Sequence, residues 1–292
     1  MNISDPTHNA LVLGGGGAAG NAWLIGMIAG LAEGGLDVAD TDLTVGTSAG
    51  STVAAQISGD TAVELFAGIL DSTPQQRSGG GALRPPRTLL DTTNDIIADA
   101  ENAADMRRRM GAWAIEISDA AGPDASSRWR SVAENRFDTR RWPDRRLLIT
   151  AVDAETGEPV VFDRDSGVDL VDAVAASTAG GFAYGIGDRR FIDGGYRTNA
   201  DNADLASGYA RVLVLSPFGG RTRLPLEWGL DLATQVARLR ADGGAVETVF
   251  PDAASRDAFG DDMMNLSARP PAARAGFEQG RGIAEQLGVF WN

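Results

Sequence analysis

Read for apolar and polar positions alone, the chain opens with Leu11-Val12-Leu13, four successive glycines, and an almost unbroken apolar run from Ala18 to Leu31. The run shows no strand-like alternation. A short buried strand, a glycine loop and a helix covered on all sides, reaching about Gly34, is the simplest pattern that accommodates it. Leu43-Thr44-Val45 reads as the end of a second buried strand. Residues 51–57 and 62–70 read as helices, so strand and helix alternate as in a parallel sheet with covering helices. Ser78-Gly79-Gly80-Gly81 marks a flexible link, and residues 89–114 predict one or two helices. Residues 147–152 and 159–162 flank Glu155-Thr156-Gly157-Glu158, a hairpin signal. Asp169 stands where it can cap a helix over 170–176. Short strands follow at 190–192 and 211–215, then a helix over 228–240 and a last strand over 247–250. Ala273, Phe277, Gly280, Ala284 and Leu287 share one face of a C-terminal helix predicted to pack against the sheet domain.

Length and composition agree with one large α/β domain: 292 residues, 43% hydrophobic, without repeats or low-complexity tracts. With no cysteine and a single histidine, His8, disulfides and cysteine-ligated metal are excluded and a zinc site lacks ligands, so neither metal nor cofactor is expected. Met1 to Ala10 has no arginine or lysine, and no apolar stretch is long enough to span a bilayer, which predicts a cytoplasmic protein without signal peptide or transmembrane segment. A net charge of -14 argues against nucleic acid as a partner. The charge is unevenly spread, because residues 74–146 hold 13 arginines against 11 acids while the remainder holds 13 against 29. That middle segment interleaves Arg84-Pro85-Pro86-Arg87, Arg107-Arg108-Arg109 and Arg140-Arg141 with Trp113, Trp129 and Trp142. The mixture suits peripheral contact with phosphate head groups of a membrane; a solvated arginine face is the plainer reading.

Candidate chemistry centres on Gly46-Thr47-Ser48-Ala49-Gly50, which has the spacing of a nucleophile elbow and the strand, turn and helix order that an elbow requires. The lone histidine precedes the first apolar run, and the chain contains neither cysteine nor lysine. A Ser48 nucleophile must therefore pass its proton to a carboxylate, for which Asp193 in Phe191-Ile192-Asp193-Gly194-Gly195 is the strongest candidate. An unperturbed aspartate, with a pKa near 3.9, is a weak base at neutral pH. Glycines 194 and 195 let that loop pass close to another backbone. Upstream, the N–H groups of Gly15, Gly16 and Gly17 form a nest that can receive an oxyanion. The same loop also fits a rival, since Gly15, Gly17 and Gly20 match the dinucleotide fingerprint with Asp40 downstream. In that fold the acid closes the second strand, whereas Asp37, Asp40 and Asp42 precede it, so an oxidoreductase is the second choice.

Together, Gly15-Gly16-Gly17-Ala18-Ala19-Gly20, Gly46 to Gly50 and Asp193-Gly194-Gly195 resemble the patatin-like phospholipase family in order and spacing. The resemblance runs roughly from residue 9 to 215, with a weaker likeness from Val249-Phe250-Pro251-Asp252 through the C-terminal helix. It implies a three-layer α/β/α sandwich with a mainly parallel central sheet. It also implies a metal-free lipid acyl hydrolase, of phospholipase or lysophospholipase type, working through a Ser48–Asp193 dyad and a glycine-rich oxyanion hole on a lipid or other acyl ester. On this basis the chain is expected to be a single domain over 1–292, with a helical lid-like insertion at about 74–146 and a C-terminal helix at about 272–288. Two positions depart from the family pattern: Ala19 stands where an arginine or lysine is usual, and Gly181 where proline is common. They keep open a third reading, a catalytically weak lipid-binding relative.

Overall fold

The computed structural model describes residues 8–72 and 88–292. Its sheet hydrogen-bonds in the series β5-β6-β3-β2-β1-β7-β8, with β4 also paired to β3. The strands are β1 (Asn9–Leu13), β2 (Leu43–Gly46), β3 (Arg146–Asp153), β4 (Pro159–Phe162), β5 (Tyr184–Ile186), β6 (Arg189–Asp193), β7 (Arg211–Leu215) and β8 (Ala245–Val249). β3, β2, β1, β7 and β8 run parallel, while β4 and β6 return antiparallel on β3. The mixed sheet is covered on both faces. Alternate residues of β1 and β7 divide between two cores, Leu11, Leu13, Leu213 and Leu215 on one side and Ala10, Val12, Val212 and Val214 on the other. Burial on both sides explains why these strands read as continuous apolar runs.

The first core is closed by α1 (Gly17–Glu33), α2 (Ala49–Gln56), α7 (Leu170–Ser177) and α10 (Arg269–Trp291). α1 is buried nearly all round because α10 lies directly on it. Glycines make that approach possible: a Cβ on Gly26 or Gly30 would fall on the carbonyl of Ala273 or Phe277, and one on Gly276 or Gly280 on that of Trp23 or Met27. The regular face anticipated in the C-terminal helix packs against the sheet domain as expected, through a seam with α1, and joins the core on that side of the sheet. α8 (Leu232–Ala241) covers the second core through Leu232, Val236 and Leu239. It begins later than the apolar pattern suggests. Gly229, at φ 62°, takes the left-handed conformation, and Asp231 caps the helix by accepting the Thr234 N–H at 2.9 Å.

Between α3 (Ala62–Asp71) and β3 lie α4 (Thr88–Asp99), α5 (Ala103–Ala121) and α6 (Ala125–Glu134). α5 sits against the β3–β4 turn, where Arg107 Nε donates to the Gly157 carbonyl at 2.8 Å. The indole rings of this segment turn inward: Trp129 donates to Ala175 O at 3.0 Å and Trp142 to Val168 O at 2.8 Å. Arg108 and Arg109 remain outside, paired with Asp105 of their own helix. The glycine link at 78–81 and Arg84 to Arg87 lie outside the described residues. No helix among the described residues is long and apolar enough to cross a membrane.

Candidate active site

β2 ends at Gly46 and α2 starts at Ala49, so the chain must reverse within two residues. Ser48 takes the strain of that turn, with φ 51° and ψ -117°, a conformation costing roughly 1–3 kcal/mol for a residue with a side chain. The flanking glycines are required by crowding. A Cβ on Gly50 would fall on the Leu13 carbonyl, and one on Gly46 would lie 2.6 Å from Ser51 Cα. The turn aims the hydroxyl outward at the N-terminus of α2, where the helix dipole favours negative charge on the oxygen.

Sheet register then supplies the partner. Ile149 pairs with both Gly46 and Phe162, and Ala151 with both Asp193 and Val160. A strand has two edges, so β4 occupies one edge of β3 while β2 and β6 follow each other end to end along the other. Their C-terminal ends converge, and Ser48 Oγ donates to Asp193 Oδ2 at 2.7 Å. Asp193 Oδ1 accepts the Gly195 N–H at 2.8 Å. Burial raises the Asp193 carboxyl to about 6, against the opposing pull of the Gly195 and Ser48 hydrogen bonds. Tyr196 closes the near side by donating to Gly180 O at 3.3 Å, and burial together with the Asp193 charge raises its hydroxyl to about 12.

A buried polar cluster, silent in the sequence pattern, joins the two halves. Asn202 Nδ2 donates to Thr47 Oγ1 and to Gly194 O, each at 2.9 Å, and Thr150 Oγ1 donates to Thr47 Oγ1 at 3.0 Å. Asn202 thus ties Thr47, the residue before Ser48, to Gly194, the residue after Asp193. Its backbone is left-handed, at φ 54°, held by Asn199 Oδ1, which accepts the N–H groups of Asp201 and Asn202 at 2.7 and 2.9 Å. Ser177, at the end of α7, accepts the Ser48 N–H at 2.9 Å. The density of Asn and Asp in 199–204 signals turns, but nothing in it points to the elbow.

The glycine loop lies beside Ser48: a Cβ on Gly15 would be 3.4 Å from Ser48 Cβ. Its three N–H groups are not equivalent. Gly15 donates to Ala200 O at 2.7 Å and is thereby committed to the backbone, which removes it from the set of open donors expected from the sequence. Gly16 and Gly17 enter the first turn of α1, where helix geometry provides no acceptor at i-4, and Gly17 needs its glycine for φ 61°. The methyl group of Ala19 is fully buried and its N–H is held by Met263 O at 2.9 Å. A guanidinium reaches this turn from another direction: Arg269, at the start of α10, donates to Asn21 Oδ1 at 2.7 Å. Burial lowers the Arg269 pKa.

Other candidates stand apart. His8 precedes β1 and its carbonyl accepts the Ala210 N–H, at the end of the sheet opposite to Ser48. Asp40 precedes β2 at that same far end and pairs with Arg145 at 3.2 Å. It is too distant to serve a nucleotide bound over Gly15, Gly17 and Gly20, so the fingerprint loses its acidic member. Gly181 packs toward α4, where a Cβ would lie 3.4 Å from Leu89 Cδ1.

A family model described as patatin-like phospholipase matches residues 11–206. No curated protein matches the chain in sequence. Among solved structures, VipD from Legionella pneumophila is similar with a TM-score of 0.48 and 16% identity, over 97% of this chain and 68% of VipD. The type III effector protein ExoU is similar with a TM-score of 0.40 and 16% identity, over 96% of this chain and 53% of ExoU, so the chain spans about half of that protein's length.

Proposed function

The chain belongs to the patatin-like phospholipase family, and on that premise we propose that it hydrolyses acyl esters of lipids with Ser48 as nucleophile and Asp193 as its base. The observation that carries this reading is the 2.7 Å hydrogen bond from Ser48 Oγ to Asp193 Oδ2, made by two residues far apart in the chain. Ser48 Oγ bonds to the ester carbonyl carbon as its proton passes to Asp193. The carbonyl oxygen becomes an oxyanion facing the N–H groups of Gly16 and Gly17. Collapse breaks the ester C–O bond, and Asp193 returns the proton to the departing alcohol. Water then repeats the sequence on the acyl-enzyme, giving its proton to Asp193 and releasing the fatty acid with Ser48 restored.

Burial bears on the rate as well as the geometry. A carboxyl raised to about 6 remains ionised at neutral pH yet holds a proton better than an exposed aspartate, which improves its match to the task. Met264, 62% exposed, lies against Gly17 and offers an apolar rim beside the oxyanion loop, suited to an acyl chain. Peripheral contact with anionic head groups falls to Arg108 and Arg109, since the neighbouring indoles are engaged by the protein.

Intact-mass measurement after fluorophosphonate treatment, with mapping of the modified peptide, tests the reading. One adduct on Ser48 is expected, absent from Ser48→Ala. Lack of any adduct, with liposome binding unchanged by Ser48→Ala, would replace the enzyme by a lipid-binding relative.

A further inference from the structure

The loop after Asp193 carries a second carboxyl that the proposed chemistry leaves idle. Asp201 is 2% exposed. Its Oδ1 is buried without a hydrogen-bond partner and lies against Gly14, where an added Cβ would fall on that oxygen. The neighbouring Ala200 supplies the carbonyl that holds the Gly15 N–H at 2.7 Å, and Gly15 in turn packs on Ser48. Asp201 and Ala200 together therefore back the stretch Gly14–Gly15, from which Gly16 and Gly17 continue.

Ser216 is the polar side chain that favours the ionised form of this carboxyl. Its Oγ accepts the Gly220 N–H at 3.0 Å, which leaves its own proton free for Asp201. Among the described residues, no charged side chain bears on the group from the elements around it, which present Gly14, Ser216 and Pro217. Within its own loop Arg197 is paired with Asp204 at 2.8 Å, and Asp193 is occupied by Ser48 and Gly195. Burial raises the Asp201 carboxyl to about 7, with the Ser216 hydrogen bond opposing that rise.

We propose that Asp201 is a positioning residue for the glycine loop that works in its neutral form. Ionised, it sets an unpartnered negative charge behind the backbone that must receive the oxyanion, and turnover falls. The inference rests on the hydrolase reading above. It adds a second carboxyl, acting through the loop, and a falling alkaline limb that the Ser48–Asp193 pair alone does not produce.

The test is kcat/KM on a soluble p-nitrophenyl ester across the neutral range. The wild type is expected to gain activity as Asp193 ionises and to lose it again as Asp201 does. Asp201→Asn, neutral at every pH and of nearly the same shape, removes the alkaline fall, raising the ratio of alkaline to neutral kcat/KM about tenfold, the size expected for one like charge in a partly screened interior. Ser216→Ala removes a hydrogen bond that favours the carboxylate and moves the alkaline limb to higher pH. It decides the matter alone if Asp201→Asn does not fold. An alkaline limb that neither variant moves would overturn the proposal. A wild type inert toward ester and fluorophosphonate at every pH would instead defeat the hydrolase reading. In that case the carbon-13 carboxyl resonance missing from Asp201→Asn still reports the group itself, and its titration in the ordinary carboxylate range overturns the inference independently.

Discussion

Two loop systems meet at Ser48, and they are built differently. On the side of β2 and β6, Ser48, Asp193 and their supports form a closed polar network in which Thr47, Thr150, Ser177, Gly194 and Asn202 are all hydrogen-bonded. On the side of β1 and β7, the glycine loop is held by backbone bonds from Gly14 to Leu215 O at 3.0 Å and from Gly15 to Ala200 O at 2.7 Å and by packing against Pro217, with the unpartnered Asp201 Oδ1 behind it. Satisfied buried networks rigidify, whereas an unmatched buried acid makes its surroundings responsive to pH. On the proposed reading, the first system would fix where proton transfer occurs and the second how well charge is received.

The largest expected effect breaks the first system at its centre. Ser48→Ala should lower ester kcat/KM by about a thousandfold or more. Asp193→Asn should cost about a hundred- to ten-thousand-fold, the range of a lost general base, with both read by steady-state kinetics. Asn202→Ala comes next: it deprives Thr47 Oγ1 and Gly194 O of a donor, which should destabilise the fold by about 1–3 kcal/mol in chemical denaturation. It should also lower kcat more than it raises KM, because the nucleophile and the acid drift apart while the substrate surface remains.

Comparing stability across pH sharpens the contrast. Folding raises both acids above their unfolded values, Asp193 to about 6 and Asp201 to about 7. A raised carboxyl favours the folded state below the ordinary carboxylate range, and that contribution is lost as pH rises through the folded value. Thermal unfolding should therefore show stability declining from about pH 4 toward neutrality, with a smaller decline in Asp201→Asn; an identical decline in the two proteins would count against ionisation behind the loop. The smallest effect belongs to the exposed arginines. Replacing Arg108 and Arg109 with glutamine should weaken sedimentation with anionic liposomes and leave soluble-ester turnover within about twofold, in keeping with surface pairs of low energy.

Much of this architecture was legible because its causes are local. The strands β1 and β7 and the helix α1 are apolar runs of the right length, and Asp169 caps α7 where its position suggested, accepting the Val171 N–H at 2.8 Å. Gly46 and Gly50 stand where backbone must touch backbone. The misreadings came from context. β8 extends back to Ala245 because its extent is set by pairing with β7, not by its own composition. Trp129 and Trp142 were legible as amphipathic rings, but whether they turned to lipid or to protein depended on which carbonyls came within reach. The departure at Ala19 was visible, but the approach of Arg269 to the same turn required α10 to be laid along α1.

The sequence by itself determined the chemical repertoire: a hydroxyl on a glycine-flanked turn, a glycine loop, and a carboxylate as the candidate base, because the lone histidine precedes the first strand and the chain has neither cysteine nor lysine. Only the tertiary structure decided which groups met and in what state. The shared edge of β3 brought Asp193 to Ser48, a carbonyl of a distant loop withdrew the Gly15 donor, and burial made Asp193 and Asp201 stronger proton acceptors than free aspartate. Those outcomes depend on separations in space and on the loss of water, neither of which is encoded at a single position in the chain.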